Sequence, residues 1–146
     1  MNKRIQLDQT EPKAMEAMYA LENFLEQSEL SETHKELIKI RASQINRCAF
    51  CIDMHTKQAL NNGEDLQRIF LLDAWRDSSL FTEEEGIILQ LTEELTLIHQ
   101  KGLTDECYQK AINSFDKQYV SQLIMAITTI NAWNRIAIST QKPIAS

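Results

Sequence analysis

The stretch ELIKIRASQINRCAFCIDMH, residues 36–55, predicts two helices that meet at a turn near Asn46. Apolar residues in its first half recur at helical spacing. A second helix is expected to begin at about Cys48, which places Cys48, Cys51 and His55 at positions i, i+3 and i+7. Because residues three and four apart share a face of an α-helix, both thiols and the imidazole are expected to lie along one stripe.

The rest of the chain has a helical composition. Only three Gly and two Pro interrupt 146 residues, and 43% of the residues are hydrophobic. A chain of this length can bury roughly two-thirds of its unfolded surface without disulfides or metals to hold a core together. We therefore expect an all-α fold in which residues 1–146 form a single domain.

Periodic apolar positions and end signals divide the chain into six or seven predicted helices. These run over about residues 12–27, from the N-cap Ser31 to about Asn46, from about Cys48 to Asn61-Asn62-Gly63, from Asp65 to about residues 77–79, from the capping box of Thr82 and Glu85 to Lys101-Gly102, over a short stretch after Thr104, and over about residues 117–139. The last helix is long and mostly apolar, so we expect it in the core or between subunits.

Charge and hydropathy exclude two classes of partner. The net charge is −6, and no cluster of Lys and Arg offers a surface for a phosphate backbone, so we expect no nucleic-acid partner. No apolar run approaches the ~18 residues of a membrane span, and the N-terminus lacks the apolar core of a signal peptide. We therefore expect a cytoplasmic protein, whose thiols are kept reduced and serve catalysis or metal binding rather than structure.

The spacing of the two cysteines permits redox chemistry. Cα atoms three residues apart on a helix are roughly 5 Å from each other, within the range of about 4.4–6.8 Å that a disulfide requires. Cys48 at the helix N-terminus, next to Arg47, is expected to gain most from the helix dipole as a thiolate. Cys51 lies deeper in the helix and would depend on a base, which His55 provides one turn further on.

Glu36 is the candidate partner of His55. It lies ten residues before Asn46, and His55 lies nine residues after it. Two antiparallel helices would bring both residues level, each roughly 14–15 Å from the turn at 1.5 Å per residue. A carboxylate facing an imidazole holds its tautomer and raises its basicity, which predicts a proton relay from Glu36 through His55 to Cys51.

Other interpretations of these residues stay open at this point. Cys48, Cys51 and His55 offer three zinc ligands, with a fourth available from His34, His99 or Cys107. The two cysteines could also be buried structural residues, and Glu36 could be a surface carboxylate beside Lys35 and Lys39. Trp75, Trp133 and Asn134 are expected in the core or at an interface, and Cys107, with no partner in sequence, is expected to be inert.

The spaced residues resemble a known family. The pattern E-x11-C-x-x-C-x-x-x-H is similar to the core of the alkylhydroperoxidase D branch of the carboxymuconolactone decarboxylase superfamily. The segments LFTEEEGIILQLTEELT, residues 80–96, and AITTINAWNRIAIS, residues 126–139, resemble the acidic middle helix and the Asn-Ala-Trp-Asn-Arg segment of small members. One departure is Phe50, where well-studied members carry a His between the cysteines.

The resemblance implies an all-helical domain that assembles into trimers or hexamers and uses no metal or organic cofactor. It also implies that Cys51 attacks the peroxide, that Cys48 resolves the sulfenic acid as a disulfide, and that Glu36 and His55 relay protons. The reductant would be a dithiol partner such as a lipoylated protein. Phe50 puts the peroxidase rate in question without removing this set.

The sequence thus predicts a thiol-dependent reductase of a small hydroperoxide or disulfide, with Cys51, Cys48, His55 and Glu36 as its catalytic residues. Two alternatives from other classes remain. In a redox sensor, the same disulfide reports oxidation and shifts helix packing without turnover. In an enzyme of the lactone decarboxylase type, His55 and Glu36 perform acid–base chemistry and the thiols are dispensable.

Overall fold

A computed structural model describes residues 3–145, which contain nine α-helices, one 3-10 segment and no strand. The helices are α1 (Leu7–Thr10), α2 (Pro12–Glu26), α3 (Glu32–Asn46), α4 (Ala49–Asn61), α5 (Leu66–Leu71), α6 (Glu83–Thr96), α7 (Ile98–Lys101), α8 (Asp105–Ser114) and α9 (Lys117–Ser139), with the 3-10 segment Leu72–Asp77 between α5 and α6. The predicted all-α fold is confirmed.

Helix α3 is the centre of the packing, because it contacts α4, α6 and α9. Its buried Ile38 and Ala42 belong to the largest apolar cluster, together with Ile88 of α6 and Leu123 and Ile127 of α9. A second cluster joins the opposite side of α3 to α4, α5 and α6. Because α3 is packed on both sides, the turn between α3 and α4 is held in a fixed position relative to α9.

Side-chain caps begin the helices where the sequence predicts them. The Ser31 hydroxyl accepts the backbone N–H of His34 at the start of α3. The Thr82 hydroxyl accepts the N–H of Glu85, and the Glu85 carboxylate accepts the N–H of Thr82, so the predicted capping box opens α6. Gly63, with a φ of 92°, follows α4 in the left-handed conformation that the Asn61-Asn62-Gly63 signal predicts.

The number of helices differs from the predicted six or seven. Helix α1 and helix α7 have four residues each, too few to produce an apolar period. The helix predicted to run from Thr82 to Lys101 is divided at Leu97, whose backbone (φ −95°, ψ 41°) leaves the helical region. The predicted fourth helix continues beyond α5 as a 3-10 segment with a kink at Ala74.

The turn between α3 and α4 lies at Arg47 and Cys48, next to the predicted position near Asn46. Arg47 has a φ of 58° and a ψ of 43°, a left-handed conformation that is uncommon for a residue with a side chain. Cys48 is therefore the N-cap of α4 rather than a residue of its first turn. The cysteine pair lies where the chain reverses.

Within residues 3–145, no helix combines the length and apolar character that crossing a membrane requires.

Assembly of the chain into a trimer or hexamer stays a prediction.

Candidate active site

A cleft of about 810 Å³ lies between α2, α3, α4 and α9. Its walls include apolar side chains of three of these helices, namely Met15, Tyr19, Phe50, Met54, Trp133 and Ile136. Glu36, Cys51 and His55 line the same cleft. The structure therefore brings three of the four predicted catalytic residues to one solvent-connected space, large enough for a small organic molecule.

The fourth residue, Cys48, lies directly behind Cys51. The two cysteines form a disulfide with a Cα–Cα distance of 5.3 Å, which confirms the predicted spacing. The side chain of Cys48 accepts the backbone N–H of Cys51 at 3.3 Å. Cys48 and Cys51 are 1% and 2% exposed, and only Cys51 is part of the cleft wall. A molecule in the cleft would meet Cys51 first.

His55 is held in a buried position one turn beyond Cys51. The residue is 6% exposed, and its Nδ1 lies 3.3 Å from Oε1 of Gln58. Burial, with a smaller contribution from the Lys39 ammonium, lowers the pKa of His55 to about 4. At neutral pH the imidazole is therefore uncharged, and it is a weaker base than a free histidine, not the stronger one that a facing Glu36 carboxylate would produce.

Glu36 faces the cleft from α3 but binds a different partner from the one predicted. Its Oε1 accepts a hydrogen bond from Nδ2 of Asn62 at 2.6 Å. Burial raises the pKa of Glu36 above its ordinary value, and the Asn62 hydrogen bond partly opposes this effect. Among residues 3–145, neither a Glu36–His55 nor a His55–Cys51 hydrogen bond is formed. The relay stays a prediction, and it would need a water molecule, a substrate or a side-chain movement to link its members.

A network of side-chain amides holds the turn that carries Cys48. Asn46 donates from Nδ2 to the side-chain oxygens of Asn131 and Asn134, each at 2.9 Å. Asn134, fully buried as expected, donates to the Ser43 hydroxyl at 3.0 Å, and the N–H of Cys48 donates to the carbonyl of Ser43 at 3.0 Å. These contacts tie the cysteine pair to α9. The Asn-Ala-Trp-Asn segment was a sequence signal for the network, but its partners on α3 were not predictable from spacing alone.

Trp133 belongs to the cleft as well as to the packing. Its ring lies 5.8 Å from that of Tyr19, and its Nε1 donates to Glu22 at 2.8 Å. Phe50, the residue that departs from the family pattern, also lines the cleft, and the Lys142 ammonium lies 5.2 Å from its ring centre. Phe50 thus adds an apolar surface beside Cys51 where a His would add a titratable group.

The residues proposed as a fourth zinc ligand lie elsewhere. Nδ1 of His34 is 2.6 Å from the Tyr119 hydroxyl, and His99 is exposed on α7. Cys107 is fully buried, and burial together with Glu94 raises the pKa of its thiol to about 12. In residues 3–145, no three His, Cys, Asp or Glu side chains are grouped as a metal site would require. The geometry does not favour the zinc interpretation, and Cys107 has the properties of an unreactive thiol.

Comparisons with known proteins identify the family of the chain. The sequence profile of the carboxymuconolactone decarboxylase family matches residues 12–94. The chain is 42% identical over 139 residues to the uncharacterized protein YdfG of Bacillus subtilis (strain 168), with 95% of each chain covered. A solved structure from Agrobacterium tumefaciens, of a protein of unknown function described in relation to the antioxidant defence protein AhpD, has a TM-score of 0.96 and 36% identity, with 99% of each chain covered.

A more distant similarity concerns the fold alone. An uncharacterized peroxidase-related protein from Silicibacter sp. TM1040 has a TM-score of 0.81 at 20% identity, covering 92% of this chain and 71% of that one. The helical architecture is thus the AhpD-like fold. With its profile match and its relative of nearly the same length, this chain belongs to the carboxymuconolactone decarboxylase family.

Proposed function

We propose that the protein is a thiol-dependent hydroperoxide reductase in which Cys51 is the attacking thiol. The observation that carries the proposal is the position of Cys51 in the cleft wall, joined to the buried Cys48 behind it and followed by an uncharged His55. The cleft thus presents a redox-active sulfur and a base to the same space.

The oxidative half-reaction starts from the reduced pair. The Cys51 thiol gives its proton to the imidazole of His55, and the thiolate attacks the terminal, hydrogen-bearing oxygen of the hydroperoxide. A sulfur–oxygen bond forms while the O–O bond breaks, and the leaving alkoxide takes the proton from His55. The products are the Cys51 sulfenic acid and an alcohol.

Cys48 then resolves the sulfenic acid. Its sulfur attacks that of Cys51, the S–O bond breaks, and hydroxide leaves with the Cys48 thiol proton as water. The Cα–Cα distance of 5.3 Å lets the disulfide form with little backbone movement. Glu36, whose pKa is raised by burial, would transfer protons between the cleft and solvent.

A dithiol partner closes the cycle. It supplies two electrons and two protons to the Cys48–Cys51 disulfide and becomes a disulfide itself. We propose a lipoylated protein as this partner, in the cytoplasm, where reduced thiols are maintained. A homo-oligomer, a trimer or hexamer, is part of the same proposal.

The test is turnover of an organic hydroperoxide with dihydrolipoamide as reductant. The wild-type protein and Cys107→Ser are expected to turn over, because Cys107 is remote from the cleft and its thiol stays protonated. Cys51→Ser is expected to be inactive, and Cys48→Ser is expected to accumulate a sulfenic acid at Cys51. Full turnover by Cys51→Ser would refute the mechanism.

Two further observations separate the alternatives. Oxidation of the pair by peroxide without multiple turnovers would favour a redox sensor. Lactone decarboxylase activity that survives Cys51→Ser but not His55→Gln would favour acid–base chemistry.

A further inference from the structure

The contact between His55 and Gln58 is the basis for inferring the tautomer of His55. Nδ1 of His55 lies 3.3 Å from Oε1 of Gln58, three residues further along α4. An amide oxygen can only accept a hydrogen bond, so the proton of this contact belongs to Nδ1. In the uncharged imidazole, Nε2 then carries the lone pair.

Gln58, rather than Glu36, is the side chain in direct contact with the base. The Glu36 carboxylate is engaged by Asn62 at 2.6 Å. Cys51, His55 and Gln58 lie along α4, and Asn62 is its C-cap, so the four follow one another at intervals of three or four residues, and all of them line the cleft. The two amides therefore each hold one member of the predicted relay.

We propose that Gln58 is a positioning residue that holds His55 in the Nδ1–H tautomer, so that Nε2 is the atom that takes up the Cys51 proton. This inference rests on the proposed function for its catalytic consequence. The hydrogen bond fixes the base as a third group orients a catalytic histidine, but through a neutral amide in place of a carboxylate. Burial is the larger effect on the pKa of His55 and lowers it to about 4, although the Gln58 hydrogen bond by itself raises it, so the ring stays unprotonated until it accepts the thiol proton.

The position of Gln58 makes the proposal testable by substitution. Gln58 is exposed at the rim of the cleft, in the interior of a helix where alanine has a high helix propensity. Gln58→Ala should therefore leave the fold intact while removing the acceptor. Gln58→Glu keeps an oxygen acceptor at the same place. Gln109→Ala, at an exposed glutamine of α8 outside the cleft, is the matched control.

The experiment measures the ¹⁵N shifts of the histidine rings at neutral pH, in the reduced full-length protein. The chain has three His, so His55→Gln identifies the signals of His55. We expect the Nδ1–H pattern in the wild type, in Gln109→Ala and in Gln58→Glu. We expect Gln58→Ala to shift His55 toward Nε2–H, the tautomer that a free histidine side chain favours.

A second readout follows thiolate formation without any peroxide. Alkylation of Cys51 by iodoacetamide should slow roughly 2- to 10-fold in Gln58→Ala, as expected for the loss of one hydrogen bond, and should recover in Gln58→Glu. An Nε2–H tautomer in the wild type, or an unchanged tautomer in Gln58→Ala, would overturn the inference. Because neither readout uses a hydroperoxide, inactivity toward peroxides would count against the proposed function and leave this inference standing.

Discussion

Substitution of His55 by glutamine is expected to remove a specific acid sensitivity from the folded protein. In the wild type, burial lowers the pKa of His55 to about 4, whereas an unfolded histidine titrates near ~6.5. Between these two values the unfolded state binds more protons than the folded state. The free energy of unfolding therefore falls as pH is lowered through this window.

The size of the effect follows from the two pKa values. Each pH unit between them corresponds to about 1.4 kcal/mol, so the wild type should lose about 3 kcal/mol at most between neutral pH and pH 4 through this residue. His55 is only 6% exposed, so solvent screening leaves most of this effect in place. His55→Gln has no group that titrates there, and its unfolding free energy should decline less over the same range.

The assay is urea unfolding of the disulfide form at several pH values from 7 to 4, at one protein concentration so that any association stays constant. The informative quantity is the difference between wild type and variant, because carboxylates such as Glu36 titrate in both proteins. His99→Gln, at an exposed position, is the control and should follow the wild type. Parallel pH dependences of wild type and His55→Gln would refute the reasoning that His55 is buried in its uncharged form.

Three further substitutions test the surroundings of the site. Asn62→Ala should raise the pKa of Glu36, because the lost hydrogen bond favours the ionised carboxyl; a ¹³C NMR titration that gives a lower value would be contrary to this account. Lys39→Met should raise the pKa of His55 above about 4, because it removes a nearby positive charge; proton NMR of the ring would show this, and no rise would argue against it. Asn134→Ala should lower the free energy of unfolding by roughly 2–3 kcal/mol in denaturant titrations, since buried hydrogen bonds are lost; a cost below ~1 kcal/mol would be inconsistent with the amide network.

Local signals predicted most of the helical architecture. Ser31, Thr82 with Glu85, and Gly63 act within a few residues of their own helix ends, so sequence alone was sufficient to place them. The left-handed Arg47 and the break at Leu97 were not predictable in the same way. Both conformations depend on how separate helices pack, and neither residue type carries a signal for them.

In the candidate site, too, the sequence predicted the positions that depend on local spacing but not the contacts that depend on helix packing. Cys51 and His55 share one helix, so their common face followed from a spacing of four residues. The partner of Glu36 depended on the crossing of α3 and α4, which no spacing specifies, and the structure pairs it with Asn62. Gln58 and Asn62 gave no signal of a role in the site, because exposed amides are common on helices and their partners belong to the tertiary structure.

The measurement that tests the central claim most directly is a stoichiometric hydroperoxide titration of the reduced protein, with free thiols counted and the intact mass recorded before and after. The account predicts that one equivalent of peroxide removes two thiols and two hydrogens per chain, that peptide mapping assigns both thiols to Cys48 and Cys51, and that dihydrolipoamide reverses the change. Retention of all three thiols of the chain after excess peroxide would contradict it.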